Sequence, residues 1–420
     1  MAVMWDAIWI NCNLATIADE AGYGVIIDGA LAIQEGRIAF VGKRDALDGR
    51  PDEVASEVHD AGGAWILPGL VDPHTHVVYA GNGRLDFLMR INNATSAEIA
   101  AAGGGVRGTV RVTRETSAEE LFATAARRVG ELISHGVTTV ESKSGFGLDL
   151  QSELKLLRCS RELGAALPVT VVSTFLGAHM VAPEYTGRAD EYIEFLADQV
   201  LPIAVADGLV DAVDGWADTM GFSDAQIGRL FDAAQSFGLP VRLHADQWSD
   251  ASAGALAARY RALTADHLEF ASEASVEAMA AAGTVAGLLP GTNYRLRETQ
   301  KPPIQLFRKH GVRMSLATNS NPVSSPTNSP PMIMNLGCML FKMTPEEAVR
   351  GFTINAAHGL NMQDERGSLT VGKAGDLSLW DIEHPDDLSH LIAANRCVAV
   401  VKDGRVVHEA ARPRPWKRPV

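Results

Sequence analysis

Residues 66–76 read ILPGLVDPHTH: an apolar run, a Pro-Gly break, a second short apolar run, then two histidines one residue apart. Alternate residues of an extended strand project to the same side, so His74 and His76 present their imidazoles together. Two imidazoles side by side make costly core filler, because each ring nitrogen needs a partner. A divalent cation takes a lone pair from both. A strand that ends in such a pair suits the opening strand of a barrel whose strand ends carry its chemistry.

Outward from this stretch, apolar runs at 66–71, 136–141, 168–174, 209–213, 240–243, 263–265, 284–289 and 313–317 alternate with longer helical patterns. Eight such strands predict an α/β chain with a (β/α)8 TIM barrel over 66–362. A doubly wound open sheet competes, but no glycine-rich phosphate turn follows the first strand, and the glycines at 103–105 read as a backbone bend. Residues 1–65 and 363–420 have another texture. Short alternating runs at 7–10, 24–27, 30–34 and 37–41, and again at 376–381, 397–402 and 405–409, are punctuated by Gly and Asp as in small antiparallel strands. Each set is too small to stand alone, so both termini are expected to build one small β-sandwich.

The unusual polar residues fall at the ends of the barrel strands. His179 closes the third, His244 the fifth and His267 the sixth. One such histidine alone is more often a hydrogen-bonded core or loop residue. Five of the twelve histidines at one barrel edge point instead to a site, because that edge carries the chemistry of such barrels.

Composition narrows the partners. With 37 basic against 51 acidic side chains the formal charge is −14, and the short basic tail at 412–418 is the one cationic run, so no nucleic acid is expected. The most apolar stretches, such as 169–176, fall far short of the roughly 20 residues that span a bilayer, so no membrane is expected either. Residues 1–7 carry Trp5 and Asp6 and no secretory pattern. Cys12, Cys159, Cys338 and Cys397 lack paired spacing and read as buried thiols in a reducing cytoplasm.

Taken in order, the words around 68–76, KSGFGL (143–148), TFLGAH (174–179), HADQ (244–247), DHLE (266–269), 289–291 and 319–326 resemble the imidazolonepropionase family of the amidohydrolase superfamily along nearly the whole chain. The His74-x-His76 pair indicates only the superfamily; TFLGAH and KSG-x-GL are far more specific. The resemblance implies a barrel flanked by a β-sandwich, one bound divalent metal, zinc first and iron second, and hydrolysis of a cyclic amide in an imidazolone ring during histidine breakdown. It implies His74, His76 and His244 as metal ligands, His267 as a nearby acid or orienting group, and His179 as a substrate contact. It also carries the expectation of a small heterocyclic substrate and a homodimer.

The chain departs from that pattern at the proton shuttle. The family places an aspartate at the end of the eighth strand, where it touches the metal and moves the proton; here the residue is Asn319. An amide oxygen can still coordinate a cation but has no usable basicity, so activity is expected to fall by roughly 100- to 10,000-fold. An inactivated variant and a natural divergence both fit this change. Gln247 joins Asn319 and His267 in the candidate catalytic set without supplying a base. The pocket departs as well. The likeness puts an arginine and two tyrosines around the substrate's propionate, at positions held here by Gly83, Ser96 and Phe146, with Arg84 one residue away. Asn321 remains, and Val323 stands where glycine is usual, narrowing the pocket. The reading is a cyclic-amide hydrolase with an altered pocket. A true imidazolonepropionase is the alternative, and a heterocycle deaminase or a non-catalytic metal-dependent binding protein is more distant.

Overall fold

The computed structural model describes residues 4–410, so residues 1–3 and the basic tail at 412–418 lie outside the described residues. Five strands precede the barrel: β1 (Trp5–Ala15), β2 (Val25–Gln34), β3 (Arg37–Lys43), β4 (Ala55–Asp60) and β5 (Trp65–Pro68). The barrel strands are β6 (Leu70–Asp72), β7 (Val137–Lys143), β8 (Thr170–Ala178), β9 (Ala212–Ala217), β10 (Val241–Ala245), β11 (Thr264–His267), β12 (Val285–Leu288) and β13 (Met314–Leu316). Three follow it: β14 (Leu377–Trp380), β15 (Cys397–Lys402) and β16 (Arg405–Glu409).

β6 to β13 pair in chain order, every ladder parallel. Between β13 and β6 the ring is drawn together at its C-terminal rim, where Asn319 N donates to His74 O and His76 N to Ser320 O, both at 3.0 Å. Helices cover the outside. Ala118–Ser134 starts where the Ser117 hydroxyl accepts from Glu120 N at 3.2 Å, and it buries Leu121, Ala125, Val129 and Leu132, the spacing of one helical face. The glycines at 103–105 form the expected bend: Gly105 N donates to Asp86 Oδ1 at 2.7 Å as the chain enters the helix Gly105–Glu115.

The apolar run at 66–71 needs a correction, because it is two strands. Trp65–Pro68 pairs with β1 and β14 in the terminal sheet, whereas Leu70–Asp72 pairs with β7 in the barrel. The chain crosses at Gly69, where an added Cβ would lie 2.3 Å from Thr138 Oγ1. Both halves read as one run because all the residues of both strands are buried.

The terminal sheet runs β16-β15-β14-β5-β1-β2-β3, with β4 also on β1. Trp9, Leu14, Leu31, Ile33, Ile66, Leu377, Leu379 and Val401 form its own core, while Trp65, Leu67, Trp380 and Val400 join the barrel core. Alternation along each strand thus divides the side chains between two hydrophobic clusters. Among the described residues no helix is long and apolar enough to cross a membrane.

Candidate metal centre and active site

The barrel strands deliver the histidines to one rim. His74 and His76 follow β6, His179 follows β8, His244 lies on β10, and His267 ends β11. The His74 and His244 rings are 4.6 Å apart, His74 and His76 5.4 Å, and His244 and His267 5.5 Å. His179 stacks on His76 at 5.2 Å, nearly parallel. One ring nitrogen from each of His74, His76 and His244 lies within 4.8 Å of the other two.

The chemistry of these rings fits a cation. His74 Nδ1 sits 2.8 Å from Asp266 Oδ2, which leaves Nε2 buried and without a hydrogen-bond partner; His76 Nδ1 is also buried and unpartnered. An unsatisfied buried polar atom costs about 1–3 kcal/mol, which coordination would remove. Burial first, then Lys143 for His74 and His179 for His76, holds both imidazoles well below the usual histidine range, the neutral state a ligand needs. Burial and the neighbouring His244 bring His179 down to about 4.

Charged groups stand beneath the rings. Lys143 Nζ donates to Glu141 Oε1 at 2.6 Å and to Asp214 Oδ2 at 2.7 Å, and Asp214 Oδ2 lies 3.2 Å from His244 Nδ1. Burial would raise the Asp214 carboxyl, but Lys143 and His244 override it and hold it well below the carboxylate range. Burial pushes Asp72 up to about 7, against hydrogen bonds from Thr318 N and Oγ1 at 3.1 and 2.6 Å.

Asn319 is buried at this rim. Its Nδ2 donates to Thr292 Oγ1 at 2.9 Å and its Oδ1 accepts from Asn321 Nδ2 at 3.1 Å. Asn321 Oδ1 in turn accepts from Val323 N and Ser324 N at 2.9 and 2.8 Å, which folds the 319–326 loop back on itself. Asp246, His267, Leu268 and Asn319 all have positive φ, between 47° and 80°. For His267 and Leu268 this costs about 1–2 kcal/mol each, whereas the short polar side chains of Asp246 and Asn319 tolerate it more readily.

Phe146 is buried with its ring 5.5 Å from His76 and 5.4 Å from His179. The loop that carries it hangs from Glu153, whose carboxylate accepts from Gly145 N, Gly147 N and Leu148 N. Gly83 has φ 61°, and a Cβ there would lie 1.8 Å from Pro322 O, so the start of the helix Arg84–Ile91 rests on the Asn319 loop. Arg84 and Ser96 are exposed in the segment between β6 and β7, Gln247 is half-buried just past β10, and Val323 is half-buried. The structure therefore gathers His74, His76, His179, His244, His267, Phe146, Asn319 and Asn321, with Gly83 close behind, and leaves Arg84 and Ser96 facing solvent.

Sequence reasoning missed Glu141, Asp214, Arg242, Asp266 and Glu153. A signal existed for two of them: Glu141 with Lys143, and Arg242 with His244, are two residues apart on one strand and so share a face.

A model of the amidohydrolase family matches residues 88–408. The chain is 51% identical to the imidazolonepropionase of Ralstonia nicotianae, over 96% of this chain and 98% of that protein. It is 49% identical to the imidazolonepropionase of Cupriavidus metallidurans, over 98% of each. Its fold is similar to a crystal structure of an adenosine deaminase from Xanthomonas campestris with bound zinc, with a TM-score of 0.72 and 18% identity over 97% of this chain and 93% of that one.

Proposed function

Since the chain belongs to the amidohydrolase family, among its imidazolonepropionase-like members, we propose that it hydrolyses the cyclic amide bond of an imidazolone ring, with imidazolone propionate as substrate. The observation that carries this reading is the convergence of His74, His76 and His244 within 4.8 Å at the rim of the barrel. These residues, with Asn319 beside them, would hold one divalent metal, zinc first and iron second, since imidazoles suit either. A divalent metal so held supplies Lewis acidity and lowers the pKa of coordinated water from about 15.7 to near 7.

The chain's own residues do the rest. His179 stacks on His76 and Phe146 stands edge-on to His179, which gives an aromatic corner beside His76 that packs against the heterocycle and excludes water. The Nδ1 of His267 is 3.7 Å from Glu269 and has no hydrogen-bond partner. Its ring faces His244, where it hydrogen-bonds the reacting carbonyl oxygen or donates a proton as the ring opens. Asn319, fixed by Thr292 and Asn321, keeps its place at the rim but takes up no proton, and Gln247 offers none of the missing basicity. Turnover is therefore slow. The reading includes a homodimer and a cytoplasmic setting, the latter supported by the four free thiols.

A second reading has a specific observation behind it. Gly83 closes on Pro322 and Ser96 is exposed, so neither reaches an acidic tail, and Phe146 lacks a hydroxyl. A heterocycle with a less acidic side chain would then be preferred. One experiment separates the two: purified metal-replete protein and its Asn319→Asp variant are given imidazolone propionate, and loss of the ring is followed by absorbance. Ring opening, with kcat raised about 10²- to 10⁴-fold in the variant, is the expected result. An Asn319→Asp variant with a full complement of metal that leaves this ring intact would refute it in favour of the altered substrate. Ammonia release without ring opening would show a deaminase, and retention without any turnover a binding protein.

A further inference from the structure

Under the three imidazoles, five charged side chains are withdrawn from water: Glu141, Lys143, Asp214, Arg242 and Asp266, each at most 1% exposed. Three acids against two bases leave a formal charge of −1, an arrangement that is expensive to bury unless more positive charge lies close by. A cation among the imidazoles directly above would supply it.

These groups form three lines that meet at Glu141. Its Oε2 accepts from Thr75 N at 3.2 Å, the amide between His74 and His76. Its Oε1 accepts from Lys143 Nζ, which also binds Asp214 Oδ2, the oxygen 3.2 Å from His244 Nδ1. The same Oε1 is 3.7 Å from Arg242 Nε, and Arg242 Nη2 is 3.7 Å from Asp266 Oδ2, the oxygen on His74 Nδ1. Arg242 is itself pinned, donating to Pro73 O at 2.6 Å and Gly359 O at 2.7 Å.

We propose that Glu141 is a positioning residue that sets the three candidate metal ligands together: His76 through Thr75, His244 through Lys143 and Asp214, and His74 through Arg242 and Asp266. The proposal rests on the metal-site reading above. A buried ion pair that served only the fold could be changed with an effect on stability alone. A residue that orients the groups behind metal ligands changes the grip on the metal, by about 10- to 100-fold where such partners have been removed.

The test uses the full chain, Glu141→Gln, and the Lys143→Met/Glu141→Gln double variant, which removes one charge of each sign and so stays foldable if the single variant does not. Zinc affinity is measured by competition with a chelator, the visible d–d spectrum is recorded with cobalt(II), and folding of the metal-free forms is followed by circular dichroism. The expected result is a zinc affinity weakened about 10- to 100-fold and an altered cobalt spectrum, in variants whose metal-free folds match the parent. A folded variant with parental zinc affinity and cobalt spectrum would overturn the proposal. A parent chain that takes up neither metal would overturn the metal-site reading itself, which keeps the two failures apart.

Discussion

Glu153 lies in the first turn of the helix Leu150–Ala166, yet its carboxylate points back over the helix start into the 145–148 loop. Gly145 N donates to both oxygens at 3.1 Å, and Gly147 N and Leu148 N donate to Oε1 at 2.8 Å each. Glu153→Ala leaves three buried amides without an acceptor, at about 1–3 kcal/mol apiece. The dry sum would be about 3–9 kcal/mol. Two effects pull it down: water can enter the space, and burial, which pushes the Glu153 carboxyl up, shows that ionising this group has its own cost. The expected loss is about 3–5 kcal/mol. Glu153→Gln keeps one oxygen at the position that receives all three amides, so its loss should stay below about 2 kcal/mol. Urea unfolding of both variants against the parent measures this. The active site should register it too, because Gly145 O is 2.9 Å from His179 Nδ1 and the loop holds Phe146; KM should rise in Glu153→Ala more than kcat falls. An alanine variant within about 1 kcal/mol of the parent, or a glutamine variant as damaged as the alanine one, would refute the reasoning.

Three further outcomes follow from the geometry. Gly83→Ala puts a Cβ 1.8 Å from Pro322 O at φ 61°, so it should cost about 1–3 kcal/mol and displace the Asn319 loop; kcat should drop with far-UV circular dichroism unchanged. Dialysis against a chelator should abolish turnover and lower the melting temperature, and zinc at 1,000 times its Kd should return about 4 kcal/mol of stability; a melting temperature indifferent to zinc would argue against the site. Burial, with Arg313 and Lys373 nearby, holds half-buried His358 below its usual 6.5. The folded state then binds that proton less readily than the unfolded chain, so the stability His358 contributes is present above pH 6.5 and lost as the pH falls through the folded value. The urea midpoint of His358→Gln should therefore decline less steeply from pH 7 to 5 than the parent's.

The barrel was legible because parallel strands buried on both faces leave continuous apolar runs, and each of the eight runs overlaps a barrel strand, the run at 209–213 by only its last two residues. The same property hid the junction at Gly69, where strands of two different sheets share one unbroken hydrophobic signal. β4 went unseen because four of its six residues, Ser56, Glu57, Val58 and Asp60, are exposed and mostly polar, so it carries no apolar run. The runs at 24–27 and 30–34 proved to be one strand, since Asp28 adopts φ 51° without ending the pairing with β1. In the site, the histidines could be found from their place at strand ends. Their carboxylate partners could not, because which acid lies behind which imidazole is set by register between strands: His244 meets Asp214 only because β9 and β10 pair as they do. Arg84 looked like a substitute for the missing arginine, but the turn at Gly83 sends it to solvent.

The pairing of β5 with β14 has a consequence for synthesis. Ser378 Oγ donates to Pro68 O across 310 residues of chain. At about 5–20 residues per second, a ribosome needs roughly 15–60 seconds to make the second partner after the first. For that interval β5 offers an open edge to any other nascent strand, a known route to aggregation. A circular permutant that joins the two ends and opens in an exposed barrel loop would separate Ser378 from Pro68 by the 42 residues after the one and the 68 up to the other, 110 in place of 310, plus any linker. That shortens the interval about threefold, and the permutant should give a larger soluble yield at high expression.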